Sequence, residues 1–93
     1  MNQIIIDVRE PEEFRMGHVN GALNIPPAKL ISGEPAELQN LPRDAQLIVY
    51  CRSGSRSNAS IPFLKQFGFI NIQNGINKDH VQASYGANGI NNG

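Results

Sequence analysis

The sequence has a single cysteine and a net charge of zero, and each of these features excludes a class of structure or partner. A single cysteine excludes an internal disulfide, and His18 and His80 lie too far apart in the sequence to suggest a zinc site, so we expect no metal. Eight basic residues balance eight acidic ones, so no long-range field attracts nucleic acid or anionic lipid. Any anion must therefore be recognised locally, and we expect no nucleic-acid partner.

Long apolar runs are also missing from the sequence. No run approaches the roughly 20 residues that cross a bilayer, and the N-terminus lacks the basic flank and apolar stretch of a signal peptide. We therefore expect a soluble protein with no membrane partner. Its compartment stays open between the cytoplasm and, if a signal peptide was removed, the periplasm.

The length of 93 residues suits one compact domain, and an apolar content of 40% is typical of a globular protein. Residues 85–93 are mostly Gly, Asn and Ala, which offer too little apolar surface to offset the loss of chain entropy. We predict a single domain over residues 1–84, followed by a mobile tail over residues 85–93. We expect the protein to be a monomer.

Short runs that favour strands alternate with helical segments, which predicts an α/β fold with a central parallel sheet and helices on both faces. The predicted strands cover residues 3–8, 22–25, 46–50 and 69–73. Helical segments are predicted from Pro11, as two short turns within residues 27–41, over residues 57–67 and, weakly, over residues 76–85. Pro62 lies inside the segment over residues 57–67 and predicts a kink or a later helix start there.

The segment LIVYCRSGSRSNAS, residues 47–60, places a thiol at the carboxyl end of the strongest predicted strand and just before a helix. Open α/β sheets hold their ligands at that edge, and small residues after Cys51 allow several N–H groups to converge on one anion. A helix dipole contributes about 0.3–1 kcal/mol, whereas a tenfold change in ionisation needs about 1.4 kcal/mol. Loop amides, together with Arg52 and Arg56, are therefore needed to hold a thiolate.

A simpler interpretation of Cys51 is that it is a small buried core residue, which is the usual fate of a lone cysteine. Arg52 and Arg56 are, on the same view, solvated surface charges. The position of Cys51 at a strand end, before a loop of Ser, Gly and Arg, favours an anion-holding site instead.

Two separated blocks of the sequence resemble the rhodanese family, and most closely its short single-domain members of the phage-shock type. The first block is IIIDVREPEEFRMGHVNGALNIP, residues 4–26, and the second is VYCRSGSRS, residues 49–57. With the predicted strand at residues 69–73, the resemblance covers about residues 3–79. It implies a rhodanese-like three-layer domain with a central parallel sheet flanked by helices.

The resemblance also implies a thiosulfate sulfurtransferase that requires no cofactor. Cys51 would be the catalytic nucleophile, taking a sulfur from a small anionic donor as a persulfide and passing it to cyanide, a thiol or a protein acceptor. The groups that would bind the donor and the persulfide belong to the loop after it: Arg52, Ser53, Gly54, Ser55, Arg56 and Ser57.

Within the first block, the resemblance gives His18 a structural role, and Asp7 and Arg9 are interpreted as structural polar residues, with Asp7 bracing the loop. The acids at the first helix start, Glu13 among them, are interpreted as solvated. The sequence departs from the family at NGINKDH, residues 74–80, where many members carry a Gly pair and a later Trp. The packing of the C-terminal segment is therefore left open.

Two rival functions remain. Cysteine-based phosphatases and arsenate reductases place an Arg six residues after the Cys, but Ser57 occupies that position here and Arg56 comes one residue early. The other rival is a persulfide carrier or regulatory binding module without turnover of its own. The presence of Cys51 opposes an inert module but is compatible with a carrier.

Overall fold

The computed structural model describes residues 3–85, which form a four-stranded parallel sheet with five helices around it. The sheet has the order β2-β1-β3-β4, so that β3 lies between two neighbours. In chain order the elements are β1 Gln3–Asp7, α1 Pro11–Arg15, β2 Leu23–Asn24, α2 Pro27–Ile31, α3 Ala36–Gln39, β3 Gln46–Cys51, α4 Ser55–Gln66, β4 Asn71–Asn77 and α5 Lys78–Tyr85.

Strand β3 is buried on both faces, and its alternate side chains enter two different cores. Leu47 and Val49 face one core, which α2, α3 and α4 cover with Leu30, Leu38 and Leu64. Ile48 and Tyr50 face the other, which α5 covers with Val81 and α1 borders with Phe14. The predicted three-layer α/β domain is thereby confirmed.

The register of the sheet brings the carboxyl ends of the strands to one edge. Asp7 of β1 pairs with Tyr50 of β3, and Cys51 pairs with Asn77 of β4. The ladder between β3 and β4 shifts between Val49 and Tyr50. Gly75 has no partner at this shift, and β4 ends at Asn77, opposite Cys51.

The predicted pair of short helices within residues 27–41 is confirmed by α2 and α3. Helix α4 begins at Ser55 and continues through Pro62, so of the two predicted outcomes the later start was wrong, and the kink stays a prediction. Pro62 and Asn58 both lie on the exposed face of α4. The Asn58 carbonyl, which lacks a donor from Pro62, therefore faces water and costs little.

The last predicted strand is displaced: β4 starts at Asn71, and Phe69 instead packs as a buried core side chain before it. Tyr85 is the final residue of α5, and its hydroxyl donates to Gln73 Oε1 at 2.7 Å. The rest of the predicted tail, residues 86–93, lies outside the described residues. Among residues 3–85, no helix has the length and apolar character to span a membrane.

Candidate active site

Cys51 is the last residue of β3, and three residues link it to the first turn of α4. Gly54, the residue before α4, has φ 96°, a left-handed conformation that glycine adopts without strain. This turn folds the chain back over the sulfur, and Cys51 is only 2% exposed. The loop and the start of α4 thus form a small cup around one atom.

The Cys51 sulfur accepts backbone hydrogen bonds from both ends of this cup. The N–H of Gly54 lies 3.1 Å from Sγ, and the N–H of Ser57 lies 3.4 Å from it. The Ser57 hydroxyl is a third neighbour, with Oγ 3.6 Å from Sγ. Several donors aimed at one sulfur stabilise a negative charge on it.

The pKa of the Cys51 thiol is about 7, below its ordinary value of 9.0. Burial acts in the opposite direction and would raise the pKa, because it disfavours the thiolate. Hydrogen bonds from the backbone and hydroxyl of Ser57, and from the backbone of Ser53 and Gly54, outweigh that effect. The thiolate, which is the nucleophilic form, is therefore more populated at neutral pH than in an ordinary cysteine.

The two arginines of the loop lie in different environments. Arg56 forms a two-point ion pair with Glu13 of α1, with Nη1–Oε2 at 2.8 Å and Nη2–Oε1 at 3.1 Å. Glu13, and to a smaller degree the charge of Cys51, raise the pKa of Arg56. Arg52 is exposed, and within residues 3–85 its side chain has no hydrogen-bond or ion-pair partner.

The remaining residues of the loop divide between solvent and interior. Ser53 and Ser55 are exposed, whereas Gly54 and Ser57 are buried. The structure thus brings together Cys51, Gly54 and Ser57, and leaves the other loop side chains at the rim.

Two residues at the site were not predicted as site residues from the sequence. Glu13, interpreted as solvated, instead pairs with Arg56, and this interpretation was wrong. Asn74 of β4 contacts both Ser57 and Gly54 through its side chain. The only sequence signal for Asn74 was its place directly after the strand predicted at residues 69–73, at the edge where parallel sheets build their sites.

Asp7, the last residue of β1, and Arg9 form a buried ion pair, as expected for structural polar residues. Arg9 donates from Nη2 to Asp7 Oδ2 at 2.7 Å and from Nε to Oδ1 at 3.0 Å, and it also bonds the Gly17 carbonyl at 2.7 Å. The Asp7 carboxylate therefore binds Arg9, and the idea that it braces the Cys51 loop was wrong.

His18 has the structural surroundings expected from the sequence. Its ring stacks on Phe14 with centroids 3.6 Å apart, and its Nδ1 lies 2.8 Å from the Phe14 carbonyl oxygen. These contacts fix the end of α1. Within residues 3–85, no cluster of three or more His, Cys, Asp or Glu side chains is arranged to hold a metal.

Comparison with protein families finds a match to "Rhodanese-like domain" over residues 1–78. A "Sulfurtransferase" of Allochromatium vinosum is 34% identical over 76 residues, covering 78% of this chain and 67% of the relative. The "Thiosulfate sulfurtransferase PspE" of Escherichia coli is 30% identical over 69 residues, covering 74% of this chain and 64% of the relative.

A longer relative and a solved structure extend the comparison. The Mycobacterium tuberculosis protein "Probable adenylyltransferase/sulfurtransferase MoeZ" is 39% identical over 75 residues, covering 77% of this chain. This chain spans only 19% of that protein. The structure described as "rhodanese with anions from E. coli" superposes with a TM-score of 0.72 at 28% identity, covering 84% of this chain and 89% of that one.

Proposed function

The chain belongs to the rhodanese-like family of sulfurtransferases, and on that premise we propose that it moves a sulfane sulfur from thiosulfate, or a related anionic donor, to a thiophilic acceptor through a Cys51 persulfide. One observation carries the proposal: the Cys51 sulfur accepts hydrogen bonds from the backbone N–H groups of Gly54 and Ser57, with N···Sγ distances of 3.1 and 3.4 Å. Donors in this arrangement stabilise either a thiolate or the terminal anion of a persulfide.

The first half-reaction loads the sulfur. The Cys51 thiolate attacks the outer sulfur of thiosulfate, and a new S–S bond forms between the two atoms. The bond between the two sulfurs of thiosulfate breaks, and sulfite leaves with its electron pair. The product is a Cys51 persulfide, and no external oxidant or reductant is needed.

The second half-reaction transfers the outer sulfur of the persulfide to an acceptor. A nucleophilic acceptor, such as cyanide or a thiolate, attacks the outer persulfide sulfur. The bond between that sulfur and Sγ breaks, and Cys51 leaves as the thiolate that began the cycle. Because the pKa of Cys51 is about 7, its thiolate is a good leaving group near neutral pH.

The loop residues have separate roles in this scheme. Arg52, exposed at the rim, attracts the anionic donor, together with the hydroxyl groups of Ser53 and Ser55. Arg56 places a positive charge near the sulfur while its guanidinium is held by Glu13. Gly54 and Ser57 stabilise the sulfur that is transferred.

The contacts at residues 56 and 57 oppose a phosphatase. A cysteine-based phosphatase needs a guanidinium that donates two parallel hydrogen bonds to the oxygens of the bound oxyanion. Here Arg56 directs two of its nitrogens to Glu13, and Ser57 directs its backbone N–H to Sγ. A cup built in this way suits one added sulfur atom better than a tetrahedral phosphate.

The test of the proposal is mass spectrometry of the protein after incubation with thiosulfate. We expect the wild type to gain the mass of one sulfur, to lose it on addition of cyanide, and Cys51→Ser to gain nothing. Steady-state thiocyanate formation then separates an enzyme from a carrier that is loaded but does not turn over. An unchanged mass, accompanied by hydrolysis of a phosphate ester, would show that the proposal is wrong.

A further inference from the structure

Asn74, in the middle of β4, connects this strand to the Cys51 loop through its half-buried side chain. Its Nδ2 donates to the Gly54 carbonyl at 2.9 Å. Its Oδ1 accepts the Ile76 N–H at 2.9 Å and lies 2.6 Å from Ser57 Oγ. One amide group therefore contacts three residues, and two of them, Gly54 and Ser57, contact the sulfur.

The orientation of the Asn74 amide follows from its two backbone partners. A backbone N–H can only donate, so the Asn74 atom that faces Ile76 must be the oxygen. A backbone carbonyl can only accept, so the atom that faces Gly54 must be the nitrogen. In the alternative orientation, the Asn74 NH₂ group would face the Ile76 N–H, and the Asn74 oxygen would face the Gly54 carbonyl oxygen.

This orientation determines where the Ser57 hydroxyl proton points. An amide oxygen has no proton to give, so at 2.6 Å Ser57 must be the donor and Asn74 Oδ1 the acceptor. The Ser57 hydroxyl has one proton and three acceptors near it: Asn74 Oδ1 at 2.6 Å, the Gly54 carbonyl at 3.0 Å and Cys51 Sγ at 3.6 Å. The proton takes the shortest contact, so the hydroxyl does not donate to Sγ while it donates to Asn74. While Ser57 donates to Asn74, its oxygen is free to accept a hydrogen bond from the Cys51 thiol at 3.6 Å.

We propose that Asn74 is a positioning residue for Cys51, which holds the Ser57 hydroxyl proton while the sulfur is a thiol and releases it to the sulfur when the sulfur becomes an anion. As the thiol loses its proton to solvent, the Ser57 hydroxyl rotates and donates to Sγ instead of to Asn74. Asn74 Oδ1 retains the Ile76 N–H, so its acceptor is not left unpaired. The inference rests on the proposed function only in giving Cys51 the role of nucleophile.

Loss of the Asn74 side chain removes its bonds to Gly54 and Ile76 from the thiol and thiolate states alike. The bond from Ser57 is lost from the thiol state alone, where the Ser57 proton is left with the longer contact to the Gly54 carbonyl. Asn74→Ala should therefore lower the pKa of Cys51 by about 0.5, the equivalent of one modest hydrogen bond. Asn74→Asp should act in the opposite direction, because a carboxylate holds the Ser57 proton more strongly and repels the thiolate. We expect it to raise the pKa by about 1 or more.

The experiment measures the rate of Cys51 alkylation by iodoacetamide against pH, with folding checked by circular dichroism. At pH 6, Asn74→Ala should react about threefold faster than the wild type and Asn74→Asp about tenfold slower. Asn71→Asp is the matched control, since it makes the same change at the opposite end of β4, paired with Gln46. Its alkylation profile should follow that of the wild type.

Ser57→Ala distinguishes positioning from a general effect on the fold. In that background the shift caused by Asn74→Ala should vanish, and the shift caused by Asn74→Asp should shrink to its direct charge effect. Should Asn74→Ala not fold, the Asn74→Asp arm decides alone. An unchanged or raised pKa in folded Asn74→Ala, or equal Asn74→Asp shifts with and without Ser57, would overturn the proposal.

Alkylation requires no sulfur donor, so this experiment is independent of sulfur transfer. If the expected pKa shifts are found but thiosulfate never loads Cys51, the proposed function fails and the role of Asn74 stands. If Cys51 is loaded normally but the pKa does not respond to residue 74 in the expected direction, the role of Asn74 fails and the proposed function stands.

Discussion

The Arg56 guanidinium and the Glu13 carboxylate meet across 43 positions of sequence in a parallel, two-point ion pair. The pair joins α1 to the first turn of α4, on either side of the Cys51 loop. It lowers the pKa of Glu13 to about 2, chiefly through the Arg56 hydrogen bond. This contact therefore makes the stability of the fold depend on pH.

Glu13→Gln should remove that dependence. The folded pKa of about 2 lies below the ordinary 4.5, so the stabilisation is present above about pH 4.5 and is lost as the pH falls toward 2. Both partners are partly exposed, which limits the difference in unfolding free energy at pH 6 to about 1 kcal/mol. Urea denaturation at pH 6 and near pH 2 measures this difference, and exposed Glu12→Gln is the control. If the unfolding free energies of the wild type and Glu13→Gln differ as much near pH 2 as at pH 6, this prediction is wrong.

Cys51 should react with iodoacetamide along a titration curve with its midpoint at about pH 7. The reason is that the loop donors stabilise the thiolate more than burial destabilises it. The same chain in concentrated urea is the control, because Cys51 is its single cysteine and an unfolded thiol titrates near about 8.5. Coincident curves for the folded and unfolded chain would show that the loop does not activate the thiol.

Asp7→Ala should destabilise the protein by about 3–5 kcal/mol, because it leaves the Arg9 charge buried without its partner. Glu34→Ala breaks a second ion pair, to Arg43, whose side chains are 24% and 39% exposed. Water replaces the lost partner there, so the cost should be at most about 1 kcal/mol. Chemical denaturation of both variants at neutral pH compares the two sites. Similar losses of unfolding free energy in the two variants would contradict this explanation.

Ile76→Asn should stabilise the protein by about 1 kcal/mol. Ile76 has φ 75°, a left-handed conformation that strains a β-branched residue and that Asn adopts more readily. Its side chain is already 40% exposed, so little burial is lost. Ile70→Asn is the control, since Ile70 is 80% exposed and does not have a positive φ. The thermal midpoint should rise for the first variant alone, and equal changes in both would exclude relief of strain as the cause.

The parts of the fold that the sequence predicted best are those that apolar runs encode locally. Strands β1 and β3 were recognisable because each contains a compact run of branched apolar residues, which is typical of strands covered on both faces of the sheet. Cys51 could be placed at the site because it directly follows such a run and precedes a turn with small residues. Local chemistry was sufficient for these features.

Strand β4 was displaced in the prediction because its sequence, NIQNGIN, is mostly polar. Pairing with β3 makes it a strand, and Gly75 allows the close approach of α5, since a Cβ there would collide with Val81 Cγ2. The contacts of Glu13 and Asn74 escaped prediction for a related reason. They join positions 43 and 17 residues apart, which no local pattern reveals.

The central position of β3 has a consequence for how the reactive thiol arises. Its neighbours come from distant parts of the chain: Gln3 pairs with Gln46, and Gln46 pairs with Asn71. Such non-local parallel pairing is slow to form, because long loops must close before the contacts repay their entropy. A nascent or unfolded chain therefore carries an ordinary thiol of low reactivity. Cys51 becomes reactive at neutral pH only once the parallel sheet has formed.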